Sequence, residues 1–304
     1  IALGKSFEDQ RRTPEMNHLF EGFQDKNGPS ERLAEALGRY YLEEEDYDKA
    51  FRQFEIIESV DASNVNIKVK MALILIEKKD YQRAASKLKQ VLVLAPDSDK
   101  IRFYLGAIYQ ELKDYDSAIE HFSKIVYPST FYGDAVVHNA YLHKLKGNLS
   151  QAIKTVELGV QNNPDHEPFY TLQASLLHEN KEYEKAVAGL EGALLKFPKS
   201  DNIHFFLGSM YDKVGKREQT ILSMKRALEL NSKNVQVLNY LAFIYAEMGS
   251  ELALAEEMAK QAVSLKSEDA YIQDTLGWVL FKQGRFEEAT KILEIAYDLK
   301  PDEA

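Results

Sequence analysis

Apolar and small positions return along this chain with a period close to 34 residues. The clearest marker is an alanine at Ala50, Ala84, Ala118, Ala152, Ala186, Ala255 and Ala289. Thr220 fills the slot that falls 34 residues after Ala186, and the step from Thr220 to Ala255 is 35. Between the markers the apolar residues keep helical spacing. In the last unit Leu276, Gly277 and Leu280 share one helical face, Gly284 breaks the chain, and Phe286, Ala289, Leu293 and Ala296 line a second helix that Pro301 stops. Each period therefore predicts two helices joined by a turn. Units starting at residues 31, 65, 99, 133, 167, 201, 235 and 270 tile residues 31–304 as a solenoid, leaving residues 1–30 as an N-terminal leader or capping helix.

A period of this length marks stacked structural repeats, which grow without a second core. Small residues pair in phase between the two predicted helices of a unit, as in Gly38 with Ala50, Gly106 with Ala118 and Gly277 with Ala289, where a close crossing is expected. Helix-ending prolines at Pro96, Pro164, Pro198 and Pro301 keep the same phase. In the leader, Asn27-Gly28-Pro29-Ser30 is a turn-rich boundary, and residues 14–23 predict a helix with Met16, Leu19 and Phe20 on one face. That helix covers the first unit's apolar edge, or the leader is disordered. Ile292 and Ile295 are expected to be exposed at the other end. The extra residue near Ser250–Leu254 marks the one place where a bend or a specialised contact is expected.

Composition narrows the function. A net charge of −10 over 304 residues opposes the basic face of a nucleic-acid binder, and it disfavours docking on anionic lipid. With no cysteine there is no disulfide, zinc–thiolate site or thiol nucleophile. No apolar run approaches the length that crosses a bilayer. Gly4-Lys5-Ser6 is a fragment of a phosphate-binding loop without the upstream glycine. His138 and His143 are five apart and do not share a face as i, i+4 ligands would. Glu43-Glu44-Glu45-Asp46 lacks the spacing of a calcium loop. These patterns predict no enzyme, no metal and no cofactor.

The motifs Tyr104-Leu105-Gly106-Ala107-Ile108-Tyr109, Phe206-Leu207-Gly208-Ser209-Met210-Tyr211 and Leu276-Gly277-Trp278-Val279-Leu280, each followed in register by the alanine, resemble the tetratricopeptide repeat over about nine-tenths of the chain. The resemblance implies an all-α, right-handed superhelical solenoid of about eight helix-turn-helix units. It also implies a non-enzymatic scaffold or adaptor that holds a protein or peptide segment in a concave groove lined by the first helix of each unit. Read at the groove positions of that family, this sequence supplies Phe103, His138, Tyr141, Phe205, Asn239, Phe243, Tyr271, Trp278 and Phe281. Exposed aromatics of this density fit apolar anchors of an extended peptide or an amphipathic helix. The alternative is inter-repeat packing, which the sixth-position residues Tyr104, Phe206 and Tyr240 also fit. The Lys–Asn pair with which one variant of the family clamps a C-terminal carboxylate is absent, since Arg32, Glu35 and Arg39 stand at those positions of the first unit.

The final two units, from Val237 to Phe243 and from Leu276 to Arg285, resemble the terminal repeats of bacterial members of the family, several of them outer-membrane lipoproteins. That likeness implies the periplasm, with anchoring through a removed N-terminal signal. The cytoplasm is the alternative. The competing functional reading is a self-associating structural protein, a homodimer through its terminal repeats, whose groove or ends are filled by its own chain or a second copy.

Overall fold

The computed structural model describes residues 13–300, with the side chains of Thr13, Pro14 and Met16 outside that description. Gly4-Lys5-Ser6 also lies outside the described residues. These form 17 α-helices and no strand. The chain divides into two compact units, residues 1–148 and 149–304. In the first are α1 (Thr13–Asn27), α2 (Glu31–Glu43), α3 (Tyr47–Val60), α4 (Val65–Glu77), α5 (Tyr81–Leu94), α6 (Asp99–Glu111), α7 (Tyr115–Ser123) and α8 (Tyr132–Leu145). In the second are α9 (Leu149–Asn162), α10 (Pro168–Glu179), α11 (Tyr183–Leu194), α12 (Asp201–Lys213), α13 (Arg217–Leu230), α14 (Val235–Met248), α15 (Leu252–Leu265), α16 (Ala270–Lys282) and α17 (Phe286–Leu299). Within each unit consecutive helices pack as antiparallel pairs stacked on the next pair, the all-α solenoid architecture expected from the period.

A repeated turn and a repeated helix cap accompany the pairing. The chain turns left-handed at Glu45, Lys79, Lys113, Gly147, Lys181, Gly215, Gly249 and Gly284, a ladder of 34-residue steps with one step of 35. Asp46, Asp80 and Asp114 follow that turn directly and cap the next helix, their carboxylates accepting the backbone N–H of Lys49, Arg83 and Ser117. The extra residue is absorbed here: Gly249 and Glu251 both take positive φ, and α14 and α15 still pair.

In four of the pairs the core is built around a large residue set against a glycine, and in the others alanine (Ala72, Ala140, Ala174, Ala242) stands at that position. A Cβ on Gly38 would fall 2.5 Å from the Phe54 ring, on Gly106 2.7 Å from Phe122, and on Gly277 2.7 Å from Leu293. Met224 occupies the same place opposite Gly208. The glycine thus makes room for the side chain four residues beyond the marker alanine, rather than for the alanine itself. Thr220, in the alanine slot, is fully buried, and its hydroxyl donates to the Lys216 carbonyl at 3.1 Å. The polar atom is satisfied locally, so the threonine is accommodated in the alanine slot.

The leader helix packs on the first pair through Phe20, as expected, but Leu19 is not part of that face, and the Met16 side chain lies outside the described residues. Phe20 and Asn17 are buried, Gln24 donates to the Ser30 carbonyl, and Leu19 and Phe23 are exposed. At the other end Ile295 is exposed as expected, whereas Ile292 is half-buried against the core around Ala289 and Leu276.

An ion network ties the last two pairs together. Arg285 donates to Glu256 at 2.8 Å and to Glu288 at 2.6 Å, and Gln283 donates to Glu256 at 3.0 Å. Hydrogen bonds from Lys260 and Arg285 outweigh burial and hold the Glu256 carboxyl at about 2, below its ordinary 4.5. A depressed carboxyl stabilises the fold above its ordinary range and loses that contribution as pH falls toward the folded value. Melting temperature is therefore expected to fall between about pH 4.5 and pH 2 more steeply in the wild type than in Glu256→Gln. Parallel pH profiles for the two proteins would refute this.

Candidate functional site

The first unit holds three of the expected groove residues. Phe103 of α6 is half-buried. Its ring meets Phe122 at 5.5 Å edge-on, Phe131 at 5.5 Å and His138 at 5.7 Å. His138 of α8 stacks on Phe122 at 5.0 Å and 13°, and its Nδ1 shares a 3.0 Å hydrogen bond with Gln110 Oε1. Burial pushes its pKa down, so the imidazole is held neutral. Both residues bind neighbouring helices together. Tyr141 stands apart from that cluster and is 49% exposed.

The second unit gathers three more into one place. A cavity of about 280 Å³ opens between α12, α14 and α16, lined by Phe205, Val235, Asn239, Tyr240, Tyr271 and Ile272. Helical spacing puts them there: Asn239 lies one turn beyond Val235, and Phe205 and Tyr271 come from the equivalent first helices before and after. The Phe205 and Tyr240 rings are perpendicular at 6.3 Å. Tyr240 donates its hydroxyl to Asp212 Oδ2 at 3.0 Å, and burial, followed by the Asp212 charge, pushes its pKa up to about 12. Its hydroxyl stays protonated at neutral pH and anchors the ring as a wall. The rim carries Lys266, paired with Asp269 at 2.7 Å.

Asn239 differs from its surroundings. Its Oδ1 is buried and has no hydrogen-bond partner within the protein. An unsatisfied buried amide oxygen costs about 1–3 kcal/mol, a cost that an incoming donor relieves. Tyr271 is 59% exposed, and the Lys300 ammonium lies 4.4 Å from its ring centroid.

Trp278 and Phe281 form a second locus toward the other end of α16. Trp278 stacks on Phe281 at 5.3 Å and 12°, and Phe281 meets Phe286 of α17 at 5.5 Å. The indole N–H donates to Glu247 Oε1 at 2.8 Å, while the Lys282 ammonium sits 4.9 Å over the indole. Phe243, one turn before Glu247 on α14, is 44% exposed. The nine residues thus separate into an interior cluster, an aromatic cavity, an aromatic stack and two isolated exposed rings. The groove register does not point to Lys266 and Asp269, because they belong to the turn before α16. Only their ion pair, three residues apart in sequence, hints at them. Among the described residues no group of three or more His, Asp or Glu is placed to hold a metal ion, and no helix is long and apolar enough to cross a membrane.

Two family models, both described as tetratricopeptide repeat, match residues 75–129 and 270–303. Both matched stretches are tetratricopeptide repeats, and the described helices form the all-α solenoid of such repeats. TPR repeat-containing protein PA4667 of Pseudomonas aeruginosa is 24% identical over 157 residues, covering 51% of this chain and 27% of that protein. Anaphase-promoting complex subunit 3 of Schizosaccharomyces pombe is 28% identical over 155 residues, covering 51% of this chain and 23% of that protein. This chain spans about a quarter of the length of these relatives. The crystal structure of the APC/C hetero-tetramer Cut9-Hcn1 superposes with a TM-score of 0.56 at 16% identity, covering 98% of this chain and 58% of that one. The tetratricopeptide-repeat fold is one typical of protein–protein interaction, and its members are generally non-enzymatic scaffolds.

Proposed function

We propose that this chain is an adaptor that holds an extended segment of another protein in the cavity formed by Phe205, Asn239 and Tyr271, without chemistry of its own. The observation that carries this reading is the buried, unpartnered Oδ1 of Asn239 at the wall of an aromatic cavity. A peptide backbone N–H supplies the missing donor, and an apolar side chain fills the space between the rings. The test uses a peptide selected by display against the purified chain. Asn239→Ala and Tyr271→Ala are each expected to weaken that peptide about tenfold or more, the range of a lost anchor. Asn239→Ala is expected to leave the melting temperature unchanged or slightly higher, since it removes an unsatisfied polar atom. Unchanged affinity with a lowered melting temperature would assign Asn239 to packing alone.

Self-association is a second reading, supported by the uncovered face of the last helix pair, where Tyr271, Asp274, Leu293 and Tyr297 line a cavity of about 310 Å³. Light scattering over a concentration series separates it from the first, because an adaptor monomer keeps a constant mass. A periplasmic location belongs to the same proposal, supported by the likeness of the terminal repeats to bacterial members of the family, and cell fractionation tests it.

A further inference from the structure

The first unit holds a cavity at the register equivalent to the aromatic one. It measures about 500 Å³ and lies between the N-terminal portions of α2, α4 and α6. Position for position within the repeat, Glu35 stands where Phe205 stands in the second unit, Lys70 where Tyr240 stands, and Lys100 where Tyr271 stands. The same scaffold therefore presents a charged wall at the place where the later repeats present rings.

The charges are arranged and unneutralised. Glu31 and Glu35 come from the first repeat, Lys70 and Lys100 from the second and third. Among the described residues none of the four has an oppositely charged side chain as a partner. The ammonium of Lys70 lies 5.5 Å from the Phe54 ring centroid, and that of Lys100 lies 5.8 Å from the Tyr104 ring centroid. A ring face orients a cation but leaves it able to take a carboxylate. Elsewhere in this unit lysines do find acids: Lys68 and Lys87 bind Glu58, Lys78 binds Asp48, and Lys146 binds Asp116. Below the charges the floor is aliphatic, made by Ile57, Val91 and Ile101.

We propose that this cavity is a second protein-binding site. It takes an extended segment in which aliphatic residues are flanked by a basic residue on the side of the first repeat and an acidic residue on the side of the third. The aliphatic part fills the floor. The two charges meet their complements and fix the direction in which the segment lies. The site is independent of the aromatic cavity and does not require that cavity to be filled.

Fluorescence anisotropy with synthetic peptides tests this on the full chain. The probes are short, amidated and fluorescein-labelled. One has a Lys-Lys-Leu-Leu-Glu-Glu centre, one has that centre in reverse, and one has glutamine at every charged position. One of the two charged peptides is expected to bind and the glutamine peptide is not, with affinity falling as salt is raised. Lys70→Glu with Lys100→Glu, and separately Glu31→Lys with Glu35→Lys, are each expected to lower that affinity by about tenfold or more. Glu31, Glu35 and Lys100 are exposed and Lys70 is half-buried, and unchanged helicity by circular dichroism confirms that folding is intact. Asn239→Ala is expected to leave this binding untouched. The proposal is overturned if neither charged peptide binds, if the glutamine peptide binds equally well, or if the charge reversals have no effect. Binding that depends on Asn239 and not on Lys70 would also overturn it, while leaving the aromatic cavity as the receptor.

Discussion

Phe122→Ala is expected to destabilise the first unit by about 3–5 kcal/mol, the range for removing a buried phenyl ring and leaving a cavity. Phe122 is 1% exposed. Its ring occupies the space that Gly106 leaves on α6, and Phe103 and His138 pack against it at 5.5 Å and 5.0 Å. Helix α7 is short, nine residues, and Ala118 and Phe122 are its buried residues. Tyr115 and Ile119 of the same helix pack against the core, and His121 stacks on Tyr109, so the helix is held in place and cannot move to close the cavity. Phe122→Met is expected to lose less than half as much, because Met224 performs the same task opposite Gly208 in the second unit. A chain of two units need not unfold in one step, so the measurement is hydrogen exchange read separately over α6–α8 and over the second unit. A loss below about 1 kcal/mol confined to neither unit would show that the ring is not the anchor of this pair.

Glu58→Ala is the second large effect, expected at about 2–4 kcal/mol, since it strands buried positive charge. Glu58 of α3 accepts from Lys68 of α4 at 2.5 Å through one oxygen and from Lys87 of α5 at 2.5 Å through the other. The Lys68 side chain is 7% exposed, and its further partner is Gln90 at 3.0 Å. Burial pushes the Glu58 carboxyl up, but the hydrogen bonds from Lys68 and Lys87 outweigh it and the net shift is downward. The carboxylate therefore stabilises the unit above its ordinary range, and the contribution fades as pH falls below it. Without it, two ammonium groups face each other across three helices with one amide between them. Lys68→Met is expected to cost much less, because an apolar side chain of similar length needs no partner there. Combined with Glu58→Ala, Lys68→Met should recover most of the loss in urea denaturation. A double variant as unstable as the sum of the single ones would show that the ions act separately.

The fold was legible because its determinants are local and repeated. The alanine ladder is a one-residue requirement that recurs at a fixed offset, and the left-handed turns from Glu45 to Gly284, found only in the structure, keep the same step. Repetition turns weak local preferences into a register. The partner of the glycine was not legible, because Phe54, Phe122, Met224 and Leu293 differ in kind and share only volume and position. The face of the leader was legible only in part: Phe20 packs inward as its pattern implies. Leu19 is apolar and Asn17 is not, yet Asn17 is the residue that turns inward beside Phe20. One short helix gives too few apolar residues to decide its own orientation, and packing on α2 decides it.

For the candidate site the division is similar. The register alone placed Phe205, Asn239 and Tyr271 on the first helices of three consecutive repeats, and composition alone made the first three repeats charged where the last three are aromatic. Hydrogen-bond satisfaction and the closing of a cavity depend on distances between helices that no single period contains. Stacking left Asn239 Oδ1 without a donor, drew Phe103 and His138 into a shared cluster around Phe122, and gave Trp278 to Glu247 and Phe281. The one-dimensional repeat determined which side chains could meet. The tertiary structure decided which of them are already satisfied by one another and which still lack a partner.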